Sequence, residues 1–283
     1  MLHQDLKTHL ETAFPIKIES VSPLSGGDIN DVYKLKCANR DYVAKLNKLH
    51  KFPGMFQKEA NGLKALRDTG AIDGPEVLGF GDFQDQTYLL LEYKETGEAN
   101  AAFWETFGAQ MAALHKNSRE NFGFQEDNFF GSLPQYNNAE STAASFFINQ
   151  RLKPQFKMAV ENGFEFNNLD SFYQKAAEII PNEKPALIHG DLWSGNYVIN
   201  SRNKPCLIDP AVAYAPREMD LAMMQLFGGF NPRLFETYHE IFPLENEWKD
   251  RVKLWQLYYI MGHVNLFGGH YYHSAKNIIS SYC

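Results

Sequence analysis

Cysteine is scarce. Three residues in 283, at positions 37, 206 and 283, are odd in number and never spaced as C-x-x-C. This excludes a disulfide framework and points to a reducing compartment, the cytoplasm. Long apolar runs are missing as well. None approaches the ~20 residues that a membrane-spanning helix requires, and the opening MLHQDLKTHLETAF has no apolar centre of a secretory signal. A soluble protein without a membrane partner is expected. Positive charge is in deficit: 27 Lys and Arg against 34 Asp and Glu give a formal net charge of -7. A nucleic-acid partner is therefore not expected, because such a protein needs a basic face to displace counterions from phosphates. A small phosphorylated ligand needs only a local positive site. The sequence also lacks G-x-G-x-x-G and the Walker A pattern, so dinucleotide-binding and P-loop readings have no support. Neither repeats nor low-complexity segments occur.

The chain has apolar material for a core: 44% of residues are hydrophobic and 14% aromatic. Leu2, Leu6 and Leu10 predict an N-terminal helix. From Pro15, IKIESVSPLSGGDINDVYKLKCANRDYVAKLNK reads as three strands joined by a Gly-rich turn and an N-R-D turn. Phe56, Ala60, Leu63 and Leu66 then share a helical face that ends at Gly70, and EVLGFGDFQDQTYLLLEYKE supplies two more strands. Beyond residue 93 the pattern is mostly helical. Phe103, Phe107, Met111 and Leu114 form one stripe, and a small β segment spans ALIHGDLWSGNYVINSRNKPCLIDPAVAY. This order predicts a two-lobed α+β fold: an antiparallel-sheet lobe with one main helix over residues 1–92, and a larger helical lobe over 93–283.

Several residues suit phosphoryl transfer. Lys45 lies in an apolar strand, YVAKLN. Alone it could be an edge-strand lysine facing solvent. Paired with Glu59 on the following helix, it would direct an ammonium to the α- and β-phosphates of a nucleotide. Gly26 and Gly27, between the first two strands, would let the backbone approach those phosphates. In HGDLWSGN, Asp191 can serve as the carboxylate beside an acceptor hydroxyl. Asn196, five residues on, and Asp209, after the next strand, are oxygen donors suited to Mg2+. Order and spacing match the base, metal amide and metal carboxylate of protein kinases. His189 is expected to hold the loop backbone, and Ser194 and Gly195 to let it turn. Trp193 is either a hydrophobic wedge under the loop or a wall of the acceptor pocket. Asp220 in REMDLAM is a plain helix cap or, preferably, an anchor of the catalytic loop. His270 and His273 lack an evident third ligand, and LENEWKDR reads as a solvated helix face. Tyr258, Tyr259, Phe267, Tyr271 and Tyr272 are assigned to the core of the C-terminal helices, with one or two of them as alternative walls of a sugar pocket.

LSGGDIN, YVAKLN, FQKEANGL, ALHKN, NFGFQEDNFFGSLPQYN, FFINQRLKPQ, HGDLWSGN, LIDPAVAYAPREMDLAMMQLFGGF and LYYIMGHVNLFGGHYY, in that order, resemble the fructosamine kinase family. The L-W-S-G spelling separates that family from the wider aminoglycoside-phosphotransferase-like group. The resemblance implies a protein-kinase-like fold and Mg2+- and ATP-dependent phosphorylation of the 3-hydroxyl of a ketoamine, the sugar adduct on a lysine or protein amine. The phosphorylated product then decomposes and frees the amine. Ribulosamines and erythrulosamines are the adducts that bacterial-type members favour. Lys45 and Glu59 match the ATP-orienting pair, Asp191 the base, Asn196 and Asp209 the metal ligands, and Glu92 with Tyr93 the hinge that meets adenine. Trp193 is the one candidate for a substrate contact, its two readings still open. The implied partners are ATP and glycated lysine or protein, with the chain a monomer or weak homodimer. Asp28 stands where many relatives carry Cys, so redox control through that turn is not expected. A kinase of the same fold acting on an aminoglycoside or a choline-like alcohol is the competing reading, and an ATP-binding pseudokinase a third.

Overall fold

The computed structural model describes residues 2–24 and 29–282. Gly26 and Gly27, with Ser25 and Asp28, lie outside the described residues. Five strands, β1 (Ile18–Pro23), β2 (Asp31–Cys37), β3 (Tyr42–Lys48), β4 (Val77–Phe83) and β5 (Gln86–Glu92), form one antiparallel sheet in the order β1-β2-β3-β5-β4. The third strand is central and both its faces are covered, which explains its run of buried positions from Ala44 to Asn47. On one face α1 (Gln4–Ala13) seats Leu6 and Leu10 against Leu35, Ala44, Leu46 and Leu90. On the other α2 (Met55–Asp68) seats Phe56, Ala60 and Leu63 against Leu89 and Leu91. The helical spacing of those apolar residues therefore serves the expected purpose, burying one stripe on a sheet face.

The chain leaves β5 and enters the helical part. This comprises α3 (Phe103–His115), α4 (Ala143–Phe146), a π-helical turn (Phe147–Leu152), α5 (Lys153–Glu161), α6 (Leu169–Ile179), α7 (Glu218–Leu226), α8 (Pro232–Ile241), α9 (Trp248–Phe267) and α10 (His270–Ser281). Thr142 and Ser145 close a reciprocal capping box at α4, and Asn231 caps α8 ahead of Pro232. Three two-stranded pieces complete the fold. β6 (Asn128–Phe130) pairs with β7 (Leu133–Gln135), β8 (Ala186–Ile188) with β11 (Ala213–Ala215), and β9 (Tyr197–Ile199) with β10 (Pro205–Leu207). Asp73, between α2 and β4, fastens the two parts together. Its carboxylate accepts from Lys94 and Asn200, both at 2.9 Å, and its carbonyl from the Leu207 amide at 2.8 Å.

Some expectations need correction. The β6–β7 hairpin and β11 are not legible in the sequence, because three-residue strands carry no measurable period. LENEWKDR is not wholly a solvated face: Arg251 is buried, with its guanidinium on Glu218. Phe267 is not core but 61% exposed, whereas Tyr258 and Tyr259 are fully buried.

The contact between α3 and α8 depends on Gly108. A Cβ there would lie 2.3 Å from the Leu234 carbonyl oxygen. Alanine favours a helix over glycine by about 1 kcal/mol, but overpacking against backbone typically costs about 1–3 kcal/mol. Gly108→Ala should therefore lower the urea midpoint; a midpoint at or above that of the parent would refute this packing.

Candidate active site

Lys45 is not an edge lysine. It pairs with Val32 and Leu89 across the middle of the sheet, and its side chain is 6% exposed. A buried ammonium needs opposite charge close by. It finds two: Glu59 Oε1 on α2 at 2.8 Å and Asp209 Oδ1 at 2.9 Å. Burial opposes the charged form, but the two carboxylates outweigh it and hold the Lys45 pKa above its ordinary value. One cation thus ties the sheet, α2 and the loop after β10.

The HGDLWSGN segment follows β8 as a loop locked by its own backbone. Asp220, in the first turn of α7, accepts from the His189 amide at 2.7 Å and the Gly190 amide at 2.8 Å. His115 on α3 contacts the same carboxylate at 3.2 Å and the Tyr238 hydroxyl at 2.8 Å. Burial resists ionisation of Asp220, yet the hydrogen bond with His115, the charges around it and the loop amides keep its carboxyl below the usual range. Asp220 is therefore an anchor of the loop rather than a cap of its own helix. His189 is buried, and burial depresses its pKa. A neutral ring accounts for both its contacts: Nδ1 accepts from the Asp191 amide at 3.3 Å and Nε2 donates to the Ile208 carbonyl at 2.8 Å. Gly190, at φ +84°, is required on two counts, since a Cβ would also lie 2.0 Å from the Ala211 carbonyl oxygen.

These bonds bring Asp191, Asn196 and Asp209 together. Burial, joined by the negative charge of Asp209, pushes the Asp191 carboxyl well above the ordinary carboxylate range. Asn196 donates its Nδ2 to the Asp191 carbonyl at 2.8 Å and to Asp191 Oδ2 at 3.2 Å, so its Oδ1 remains an acceptor. Asp209 stands at φ +54°, in the left-handed region that non-glycine residues rarely occupy. Its side chain is 44% exposed. An amide oxygen and a partly exposed carboxylate are hard donors of the kind Mg2+ takes beside phosphate and water; the residues fit that ion.

Trp193 is 42% exposed, so it is not a wedge buried under the loop. Its ring lies across Gly195, where a Cβ would come within 2.2 Å of it. Phe227, 44% exposed, belongs to the neighbouring segment, whose Gly229 lies against Ser194. The amides of Glu92 and Tyr93 are already taken, by the carbonyls of Glu76 at 2.8 Å and Asp41 at 3.1 Å. His270 and His273 sit on α10 with their rings beside Tyr271 and Tyr272.

The sequence reading assigned no role to several buried polar residues. Glu218 accepts from Arg251 Nε and Nη2, at 2.9 and 2.6 Å, and from Trp255 Nε1 at 2.7 Å, pinning α7 to α9. Arg217 holds Glu183 and the Phe242 and Pro243 carbonyls. Asn128, Gln135, Asn137 and Arg151 form an interior polar chain. Their signal was faint but present: polar side chains within apolar stretches such as FFINQRL.

Asp220→Ala would leave two loop amides and His115 without their acceptor. Removing one partner of a buried charged network typically costs about 3–5 kcal/mol. A loss of that order in denaturant unfolding is expected, with a smaller one for Asp220→Asn, which keeps one carbonyl acceptor. Unchanged stability of Asp220→Ala would remove the anchor role.

The chain matches the model of the family described as fructosamine kinase over residues 2–283. A probable ketoamine kinase of Enterococcus faecium is 36% identical, the match covering 93% of this chain and 95% of that protein. A probable ketoamine kinase of Synechocystis is 38% identical over 95% of this chain and 92% of its own. The crystal structure of a candidate fructosamine-3-kinase from Haemophilus somnus superposes with a TM-score of 0.88 at 27% identity, covering 98% of this chain and 96% of that one. A spectinomycin phosphotransferase in complex with ADP and spectinomycin superposes at 0.63 with 16% identity, covering 99% and 92%, a likeness of fold alone. The chain belongs to the fructosamine kinase family and is a phosphotransferase with a protein-kinase-like fold.

Proposed function

We propose that this protein transfers the γ-phosphoryl group of ATP to the 3-hydroxyl of ketoamines carried on lysine or protein amines, an activity that serves deglycation. The observation that carries this reading is the single cluster of Lys45, Glu59, Asp191, Asn196 and Asp209, whose members lie up to 164 residues apart in sequence.

Asp191 accepts the proton of the acceptor hydroxyl as its oxygen bonds to the γ-phosphorus. The bond from that phosphorus to the bridging oxygen breaks, and ADP leaves with the electron pair. A raised carboxyl pKa moves Asp191 toward the operating pH, where a general base is most effective. Lys45, oriented by Glu59, meets the α- and β-phosphates. Asn196 and Asp209 would hold Mg2+, which when bound neutralises phosphate charge. Backbone groups of the Glu92–Tyr93 hinge would meet adenine. Gly26 and Gly27, outside the described residues, are the proposed backbone contacts to the phosphates. Trp193, 42% exposed and two residues from Asp191, offers an open aromatic face on which a sugar can lie.

Incubation with ATP and a panel of ribulosyl-, erythrulosyl- and fructosyl-lysines should give a mass gain of one phosphoryl group. Phosphorylation of an aminoglycoside or choline in preference to every ketoamine would sink the substrate assignment. Asp191→Asn should reduce turnover roughly 10²–10⁴-fold, the span of a general-base contribution, with ATP affinity retained. Turnover close to the parent's would refute Asp191 as the base.

A further inference from the structure

The β6–β7 hairpin grips both halves of the cluster. On its inner side, Gln135 Nε2 donates to the Ala211 carbonyl at 2.9 Å and Asn128 Nδ2 to the Val212 carbonyl at 2.9 Å. Those carbonyls follow Asp209 by two and three residues, directly after its strained φ. On its outer side, Glu126 accepts from Asn61 Nδ2 of α2 at 2.6 Å. The Phe129 ring meets Phe52 edge-on at 6.3 Å and lies 5.2 Å from the Lys58 ammonium. The α2 helix in turn rests on the same backbone, since a Cβ at Gly62 would lie 3.3 Å from Val212 and 3.5 Å from Pro210.

The amide orientations in the hairpin are dictated from outside it. Arg151 is 1% exposed and, among the described residues, forms no ion pair with a carboxylate. A guanidinium can only donate. Its Nη2 donates to Asn137 Oδ1 at 2.8 Å, which turns Asn137 Nδ2 toward Asn128 Oδ1 at 3.2 Å. Asn128 must then present its own Nδ2 to Val212. In the same way, the Tyr258 hydroxyl donates to Gln135 Oε1 at 2.8 Å and leaves Gln135 Nε2 for Ala211. Among the described residues, Arg151 Nε has no hydrogen-bond partner of its own, so stability alone is a poor reason for burying this cation.

We propose that Asn128 and Gln135 are positioning residues for the metal-binding arm of the site, with Arg151 and Tyr258 fixing their polarity, and that Glu126 positions α2 and hence Glu59. This rests on the reading of Asp209 as a metal ligand. Supporting groups around metal ligands typically alter metal affinity roughly 10–100-fold when removed.

The test is Mn2+ binding to the AMP-PNP complex, read by electron paramagnetic resonance, beside calorimetry of AMP-PNP without metal. Gln135→Met keeps the volume but loses all three side-chain hydrogen bonds, with Asn128, Ala211 and Tyr258. It should weaken Mn2+ binding roughly 10-fold and leave metal-free nucleotide affinity within about twofold of the parent's. Tyr258→Phe keeps the ring and fold and should shift Mn2+ binding a few-fold in the same direction. Glu126→Ala should instead weaken nucleotide binding with and without metal by the same few-fold factor. Should Gln135→Met fail to fold, Tyr258→Phe decides the matter alone. Unchanged Mn2+ affinity in the folded variants, with only a lower melting temperature, would overturn the proposal. Asp209→Asn separates the two levels: if it fails to weaken Mn2+ binding, the reading of Asp209 fails; if it does weaken binding and Gln135→Met does not, only the positioning role fails.

Discussion

A buried lysine cannot stand alone in an apolar sheet. Transferring an ammonium from water costs several kcal/mol even after relaxation. Lys45 tolerates the middle of the sheet only because Glu59 and Asp209 reach it within 3 Å. That requirement couples three elements that share no local sequence. The β3 strand must be central, α2 must turn Glu59 inward, and the loop after β10 must hold Asp209 in a left-handed backbone state. Movement of any one leaves a charge unpaired in the interior, so the arrangement is favoured as a whole or not at all.

The surroundings of Asp191 follow the same logic with hydrogen bonds in place of charge. The loop that carries Asp191 is irregular and partly buried, and its buried amides need acceptors that a regular ladder would otherwise supply. Asp220 provides two, and the loop after β10 supplies donors for the carbonyls: the Ala211 amide donates to that of His189, and the Ile208 amide to that of Asn196. The two acidic loops are thus laced to one another. Burial, joined by the nearby Asp209 charge, raises the Asp191 carboxyl, and the two loops together make a concentration of negative charge into which a cation fits.

Much of this was legible residue by residue. Alternation and helical spacing placed all five strands of the sheet, α2 and the stripe of α3. Lys45, Glu59, Asp191, Asn196 and Asp209 stood out because a lysine within an apolar strand, a glutamate on the next helix, and acid and amide residues after later strands, in that order, suit phosphate and Mg2+. Asp220 was legible as an anchor from its place at the start of a helix. Other features were not. Three-residue strands leave no period, so the β6–β7 hairpin passed for part of a helical region. Arg251 looked solvated among LENEWKDR because its partner, Glu218, lies 33 residues away. Trp193 could be placed on neither side of the loop until its exposure was known.

Sequence by itself determined the inventory: the donors and acceptors of the site, the two-part fold, and the family spelled out by HGDLWSGN and its companions. These follow from local composition and period, which act over a few residues. The tertiary structure decided what those residues are to one another. Pairing order made Lys45 central rather than marginal, and long-range contacts gave its ammonium a second carboxylate. A chain of amides ending on Arg151 set which way Gln135 and Asn128 face. Such relations depend on the distance and direction between groups far apart in the chain, and folding alone fixes them.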